Sequence, residues 1–317
     1  RRLAIYAVLN EVLKTLDILI HPFCPFTSEH LYQTVFEGEK SILLDKWPQY
    51  KESLVNEEIE ESFDIMKDVV SISSAARMKG KLKRRWPLNE AKICVKKDQK
   101  IKLESLSNLL KSQLNVEKFN IVETEKESGL EQLLELKELG LPVKPTLELE
   151  RKKIGPKAKQ HMGKLVSVFS ETNPQEIITS IQKDGKYDFK IDNEIISLDK
   201  EDFTIDFDSE DNFAAAKRDG FIVFISTLRN KEMMAKGLVK DIARRLQTLR
   251  KEKGYNPTDV LEVASILELD NESLEMIKER KEELAFLVRV KKVNFEKLCK
   301  EYKEDDIDGQ KIKISVE

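Results

Sequence analysis

The sequence predicts a mixed fold, in which a truncated α-helical bundle is followed by an α+β (α/β) domain. Two observations lead to this prediction. Apolar residues recur at helical spacing over roughly the first 80 residues. After Gly80, short segments that alternate apolar and polar residues, as strands do, are interleaved with helical ones. No glycine-rich phosphate loop of the GxGxxG or GxxxxGK[ST] type occurs.

The first helix is already under way at Arg1. Its apolar residues step by three and four and form one stripe, made of Ile5, Val8, Val12, Leu16 and Leu19. We expect this stripe to face a core. Because no capping side chain precedes the helix, we also expect the chain to begin inside or just before a helix of a larger protein.

The remaining elements follow from spacing and from turn residues. In the first part, the pattern predicts a helix over 25–36 that ends at Gly38, an extended segment over 42–48 and a long helix over 59–80. Further along, it predicts strands at 91–95, 119–122, 187–191, 195–198, 204–207, 221–226, 260–267 and 312–316, and helices at 101–114 and 231–253. The acidic segment 123–139 leads to a boundary at Gly140, and 281–303 resembles a charged, solvated helix.

Composition excludes several classes of protein. The 55 basic and 58 acidic residues give a net charge of −3, so nucleic-acid binding would depend on local patches of charge. No apolar run approaches the ~20 residues of a membrane span. The three cysteines lie far apart, which argues against a disulfide framework or a zinc site and fits a reducing compartment. The histidines are scattered, so we predict neither metal ligands nor catalytic residues.

The strongest local feature is a basic run in a nine-residue window without an acid. It consists of Arg77, Lys79, Lys81, Lys83, Arg84 and Arg85, and Trp86 follows it. Such cations can contact a phosphate backbone, and an exposed Trp86 can stack on an unpaired base. The alternative is a solvated linker in which Trp86 plugs a core turn.

Two further basic clusters occur later in the chain. One surrounds the Gly155-Pro156 turn and provides Lys152 and Lys153 as candidate RNA ligands; the other provides Lys240, Arg244 and Arg245. Leu238, Ile242, Leu246 and Leu249 step by four, four and three, so this helix should bury them and point Arg244 outward. The alternative for each cluster is an ordinary solvated surface.

A family resemblance adds to these patterns. Residues 21–33 (HPFCPFTSEHLYQ) resemble a signature of the anticodon-binding bundle of class I aminoacyl-tRNA synthetases, shared by the isoleucine, valine, leucine and methionine enzymes. His21 and Cys24 depart from the usual residues. Residues 76–91 resemble the stretch that follows the bundle's long helix. Residues 236–259, 145–163 and 306–314 are similar to segments of isoleucyl-tRNA synthetases, so the resemblance covers nearly the whole chain. The lack of a cysteine cluster suggests the archaeal and eukaryotic-like branch.

The resemblance implies a division of the chain into three parts. Residues 1–125 would form the anticodon-binding domain, a bundle lacking its N-terminal helices plus a small α/β extension. Residues 126–142 would be a linker, and 143–317 a C-terminal α+β domain. The valine enzyme is an alternative within the family. A different alternative is a protein scaffold that docks partners through 281–303 or 123–139.

The same resemblance implies a function. The parent would be a cytoplasmic ligase that attaches isoleucine to tRNA(Ile), and this chain would be its non-catalytic, tRNA-binding part. ATP and Mg²⁺ would bind in a catalytic domain that these residues lack, so the chain itself would need no cofactor. We expect a monomer that binds neither membrane nor DNA.

Overall fold

The computed structural model describes residues 2–36, 40–192, 194–299, 301–307 and 309–317. The predicted helix end at Gly38, and Asn193 of the predicted hairpin turn, lie outside the described residues. The chain divides into two compact units, Arg1–Glu57 and Glu58–Glu317. Among the described residues, no helix combines the length and the hydropathy that a membrane-spanning segment requires.

The first unit contains two helices, α1 (Arg2–Ile20) and α2 (Pro25–Val35), as predicted. Pro25 occupies the first turn of α2, where its missing N–H costs nothing. The extended segment predicted over 42–48 is wrong at its start, because Ile42–Leu44 form a 3-10 turn. Ser41 caps this turn by accepting a hydrogen bond from the Leu43 N–H.

The apolar stripe of α1 does not face a core. Its five residues, Ile5, Val8, Val12, Leu16 and Leu19, are 41–62% exposed. The prediction that they are buried is therefore wrong for this structure. The small core of this unit instead joins Ile18, Tyr32 and Ile42, so α2 and the 3-10 turn cover only the face of α1 that carries Ile18.

The second unit contains the strands. In chain order its main elements are α3 (Glu57–Lys79, whose first residue belongs to the first unit), β1 (Leu88–Val95), α4 (Lys97–Ser105), α5 (Ser107–Leu114), β2 (Val116–Glu123), α6 (Gly129–Glu138), β3 (Val143–Leu149), α7 (Arg151–Ala158), α8 (Met162–Glu171), α9 (Pro174–Asp184), β4 (Lys186–Ile191), β5 (Glu194–Asp199), β6 (Phe203–Ser209), β7 (Phe213–Arg218), β8 (Phe221–Ser226), α10 (Lys231–Glu252), β9 (Leu261–Leu267), α11 (Asn271–Glu279), α12 (Lys281–Val288), β10 (Val290–Asn294), β11 (Lys303–Ile307) and β12 (Gln310–Val316). The described strands form two four-stranded sheets, β2-β1-β8-β7 and β10-β9-β12-β11, and two pairs, β3-β6 and β4-β5.

Most of the predicted elements are present. Every predicted strand is present, the predicted hairpin is the antiparallel pair β4-β5, and the 101–114 helix is two helices that meet at Leu106. The charged helix predicted over 281–303 is wrong beyond Val288, because β10 follows and pairs in parallel with β9. Leu284 and Val288 of α12 are fully buried, so this segment is not a solvated one.

The first sheet joins distant parts of the chain. β1 pairs in parallel with β2 and antiparallel with β8, with Ile93 opposite Val223. Residues on both sides of the predicted linker therefore share one sheet, and α6 lies within that linker. The division at 126–142 stays a prediction.

Two long helices cover the two larger sheets. The buried face of α3, which includes Val69 and Ile72, packs in one core with strands of the first sheet. Leu238, Ile242, Leu246 and Leu249 of α10 are buried in a core with β9 and β12, and Arg244 is exposed, as predicted. The chain therefore has the mixed α/β fold that the sequence predicts.

Candidate nucleic-acid interface

Arg77, in the last turn of α3, organises the segment 80–86 that follows the helix, which we call the basic turn. Its guanidinium is buried and donates hydrogen bonds to the carbonyl oxygens of Lys83 (3.1 Å), Trp86 (3.0 Å), Leu114 (2.8 Å) and Asn115 (3.2 Å). Burial, together with the nearby Arg229 and Arg84, lowers the pKa of Arg77 to about 10, so it remains a cation at neutral pH. Arg77 was a candidate phosphate ligand. Because the side chain is buried and four of its five N–H donors are used inside the fold, Arg77 does not belong to the candidate surface.

Trp86 fastens the same turn to α10. The indole is 6% exposed, and its Nε1 donates a 2.8 Å hydrogen bond to the Asp241 carboxylate. The Lys83 ammonium and the Arg229 guanidinium lie over the ring, at 5.4 and 5.0 Å from its centroid. With 6% of the side chain exposed, too little of the indole is accessible for a base to stack on it. The structure therefore matches the alternative in which Trp86 plugs a core turn, and we remove it from the candidate RNA ligands.

Asp241 is the acidic centre of this junction. Burial opposes its ionisation, but the hydrogen bonds from Trp86 and Lys83 outweigh burial, so the pKa of Asp241 lies below its usual value. The carboxylate is therefore charged at neutral pH. It lies 3.2 Å from the Lys83 Nζ and 3.5 Å from an Arg85 guanidinium nitrogen. Both cations are thus held at the surface of α10.

The basic run and α10 meet in a cleft, which we call the basic cleft. Its described lining residues are Lys83, Arg85, Asp241, Arg244, Arg245, Thr248, Lys303 and Asp305, and its volume is about 400 Å³. Five of these side chains are cationic and two are carboxylates. The structure therefore joins two of the three predicted basic clusters and adds Lys303.

The cations of the basic cleft differ in how far they are neutralised. Arg245 lies 3.4 Å from Asp305, and Lys303 lies 2.7 Å from Glu252. Arg244 is exposed and has no ion pair in the part of the chain that the structure describes. Lys79, the last residue of α3, and Lys81 and Arg84 of the basic turn are exposed, and their contact with phosphate stays a prediction. The cleft therefore carries uncompensated positive charge.

The three remaining candidate RNA ligands lie outside the basic cleft. Lys240 is half-buried, and its Nζ is 3.4 Å from the Asn115 side-chain oxygen, so it joins α10 to the start of β2. Lys152 and Lys153 are exposed on α7, and Lys153 donates to the Glu201 carbonyl oxygen. The turn predicted at Gly155-Pro156 is wrong, because α7 continues through both residues. None of the three lines the basic cleft, and their role in RNA binding stays a prediction.

Sequence comparison shows which proteins the chain resembles. Residues 1–93 match the model of the anticodon-binding domain of tRNA ligases. The isoleucine–tRNA ligase of Thermococcus kodakarensis is 27% identical over 93% of this chain and 26% of its own length. Those of Methanothrix thermoacetophila (27% identical) and Clostridium kluyveri (28%) match 99% and 98% of this chain and 29% of their own length.

The chain thus spans less than a third of the length of these relatives. They come from both archaea and bacteria, so the branch suggested by the missing cysteine cluster stays a prediction. The family match covers α1 to β1, including the basic turn, and the relatives cover most of the rest. Residues 1–93 are thus similar to the anticodon-binding domain of tRNA ligases, and the chain is similar to isoleucine–tRNA ligases along most of its length.

Proposed function

We propose that this chain is the tRNA-binding part of an isoleucine–tRNA ligase and that the basic cleft contacts the tRNA backbone. The observation that carries the proposal is the convergence of Lys83 and Arg85 with Arg244, Arg245 and Lys303, which come from three separate segments. Cations that converge on one cleft can neutralise several neighbouring phosphates at once.

Two cations of the cleft are placed to contact separate phosphates. The uncompensated Arg244 guanidinium offers a fork of donors that matches a phosphate. Arg85 is tethered by Asp241 but exposed, so it can turn toward a second phosphate. Such contacts position the tRNA and carry no sequence information, which must come from the loop bases.

The whole protein, in this proposal, joins isoleucine to tRNA(Ile) with ATP. ATP and Mg²⁺ would bind outside these residues, because the 317 residues contain no phosphate-cradling motif. We therefore expect the chain alone to form no isoleucyl-adenylate. A cytoplasmic location belongs to the same proposal, and it agrees with the three cysteines being free thiols.

Binding of two purified tRNAs at two salt concentrations tests the proposal. The chain should bind tRNA(Ile) with an affinity that falls steeply as salt rises, and it should bind tRNA(Val) more weakly at both concentrations. Equal binding of both would support RNA contact without isoleucine specificity. Binding that salt does not weaken, or no binding at all, would contradict the proposal.

A further inference from the structure

A second recess lies beside the basic cleft, and we call it the base recess. Its described lining residues are Trp86, Met234, Leu238, Asp270, Glu272, Ser273, Met276, Ile307, Gly309 and Gln310. Its volume is about 610 Å³, and all of it lies within the second unit. A recess of this size holds a planar ring system with room to spare.

The base recess continues the basic cleft along two elements. The N-terminal half of α10 lines the recess through Met234 and Leu238, and the C-terminal half lines the cleft through Arg244. Along β11, Lys303 lines the cleft and Ile307 lines the recess. Met234 and Arg244 are ~15 Å apart along the helix axis. A few linked nucleotides cover that distance, so one strand can occupy both.

The two cavities differ in chemistry. The recess has apolar walls from Met234, Leu238, Met276 and Ile307. Its described lining includes the carboxylates of Asp270 and Glu272 and no cation. Asp270 is fixed as the cap of α11, where it accepts a 2.8 Å hydrogen bond from the Ser273 N–H. Carboxylates repel phosphate, but they accept hydrogen bonds from the amino groups of bases.

We propose that the base recess takes one unpaired, amino-bearing base (adenine, cytosine or guanine) from the RNA whose backbone lies in the basic cleft. The inference rests on the proposed function. Thioether and aliphatic side chains enclose the flat faces of the base, and a carboxylate accepts from its amino group. Uracil has no amino group, and its one Watson–Crick donor, N3–H, lies between two carbonyl oxygens that the carboxylates repel, so uracil is disfavoured.

A double-mutant cycle between protein and RNA tests this inference. In tRNA(Ile), each anticodon-loop nucleotide is replaced in turn by an abasic residue, and binding is measured with the full chain and with Ser273→Trp, which fills the recess. An abasic residue at one loop position should weaken binding to the unaltered chain about tenfold to a hundredfold, which is the usual contribution of one stacked base to affinity. The same abasic change should not weaken the binding of the Ser273→Trp variant any further, because its recess is already filled. Thr179→Trp, on the exposed face of α9, is the matched control and should behave like the unaltered chain.

A second, more conservative variant keeps the inference testable if Ser273→Trp fails to fold. Glu272→Gln removes one carboxylate at an exposed position, so it should reduce the preference for cytosine over uracil at the sensitive loop position. Two results would overturn the base recess. One is a Glu272→Gln variant that keeps the parent's preference for cytosine over uracil. The other is an abasic change that weakens binding by the same factor in Ser273→Trp as in the unaltered chain. If tRNA binding stays steeply salt-dependent in that case, the basic cleft stands without the recess. A chain that binds no tRNA at all would overturn both.

Discussion

Gly237, in the interior of α10, lies so close to the indole of Trp86 that a Cβ on the glycine would be 2.4 Å from the Trp86 Cδ2. Glycine within a helix costs ~1 kcal/mol relative to alanine. Glycine is nevertheless required here, because a Cβ at this position would overlap the indole ring. The contact holds the basic turn against α10, so it positions Lys83 and Arg85 beside Arg244.

The first prediction concerns this contact. Gly237→Ala should lower the free energy of unfolding by ~1–3 kcal/mol, because the overpacked Trp86 must move. Gly163→Ala, in α8, is the control: a Cβ there meets no atom within 4 Å, so the variant should gain up to ~1 kcal/mol. Urea titration of both variants measures the difference. A Gly237→Ala protein as stable as the parent would show that Trp86 does not pack on α10 in this way.

The second prediction concerns Arg77. Arg77→Met should cost ~1–3 kcal/mol or more of unfolding free energy, because it leaves buried carbonyl oxygens without their donor. Arg84→Met removes a cation from the same turn at an exposed position and should change stability by ~0.5 kcal/mol or less. If the two variants prove equally stable in urea, Arg77 does not organise the turn.

The third prediction is a pH dependence in the first unit. The Asp45 carboxylate accepts a 2.7 Å hydrogen bond from the Tyr32 hydroxyl and lies 2.7 Å from the Lys14 Nζ. Lys14 first, and then Tyr32, lower the pKa of Asp45 to about 2. A lowered folded-state pKa contributes stability above the unfolded value, near 3.8, and that stability is lost as pH falls toward 2.

Asp45→Asn should therefore destabilise the chain by about 1 kcal/mol at pH 7, a value reduced for solvent screening. The difference from the parent should shrink between pH 4 and pH 2. NMR titration of the Asp45 side chain gives the pKa directly. A midpoint near 3.8, or a stability difference that is constant over this pH range, would contradict the hydrogen-bonded geometry.

The spacing of apolar residues along the chain predicted the helices and strands, because the side chains on one face of an element are buried together. Ile242 and Leu246 lie one turn apart on α10, and both are buried. The same reasoning failed for the stripe of α1 that includes Val8, because spacing shows that a face is apolar and not what covers it. It also failed beyond Val288, where the parallel pairing of β10 with β9 decides the structure.

The candidate site could be predicted only in part, for a related reason. Arg84 and Arg85 were found because charge density is local in the sequence. The burial of Arg77 and Trp86 depends on Leu114, Gly237 and Asp241, which are distant along the chain. Lys303 was not identified, because it joins the cleft only through the folding of β11 beside α10.

The salt dependence of tRNA binding tests the basic cleft most directly. The affinity for tRNA(Ile) is measured across a salt series for the parent chain, for Arg85→Ala with Arg244→Ala, and for a control with Lys183→Ala and Lys190→Ala, two exposed lysines outside the cleft. We predict that the cleft variant binds more weakly and that its slope of log affinity against log salt flattens by about one unit for each lost phosphate contact. The control should keep the parent's affinity and slope. If the cleft variant keeps both as well, the tRNA does not lie in the basic cleft.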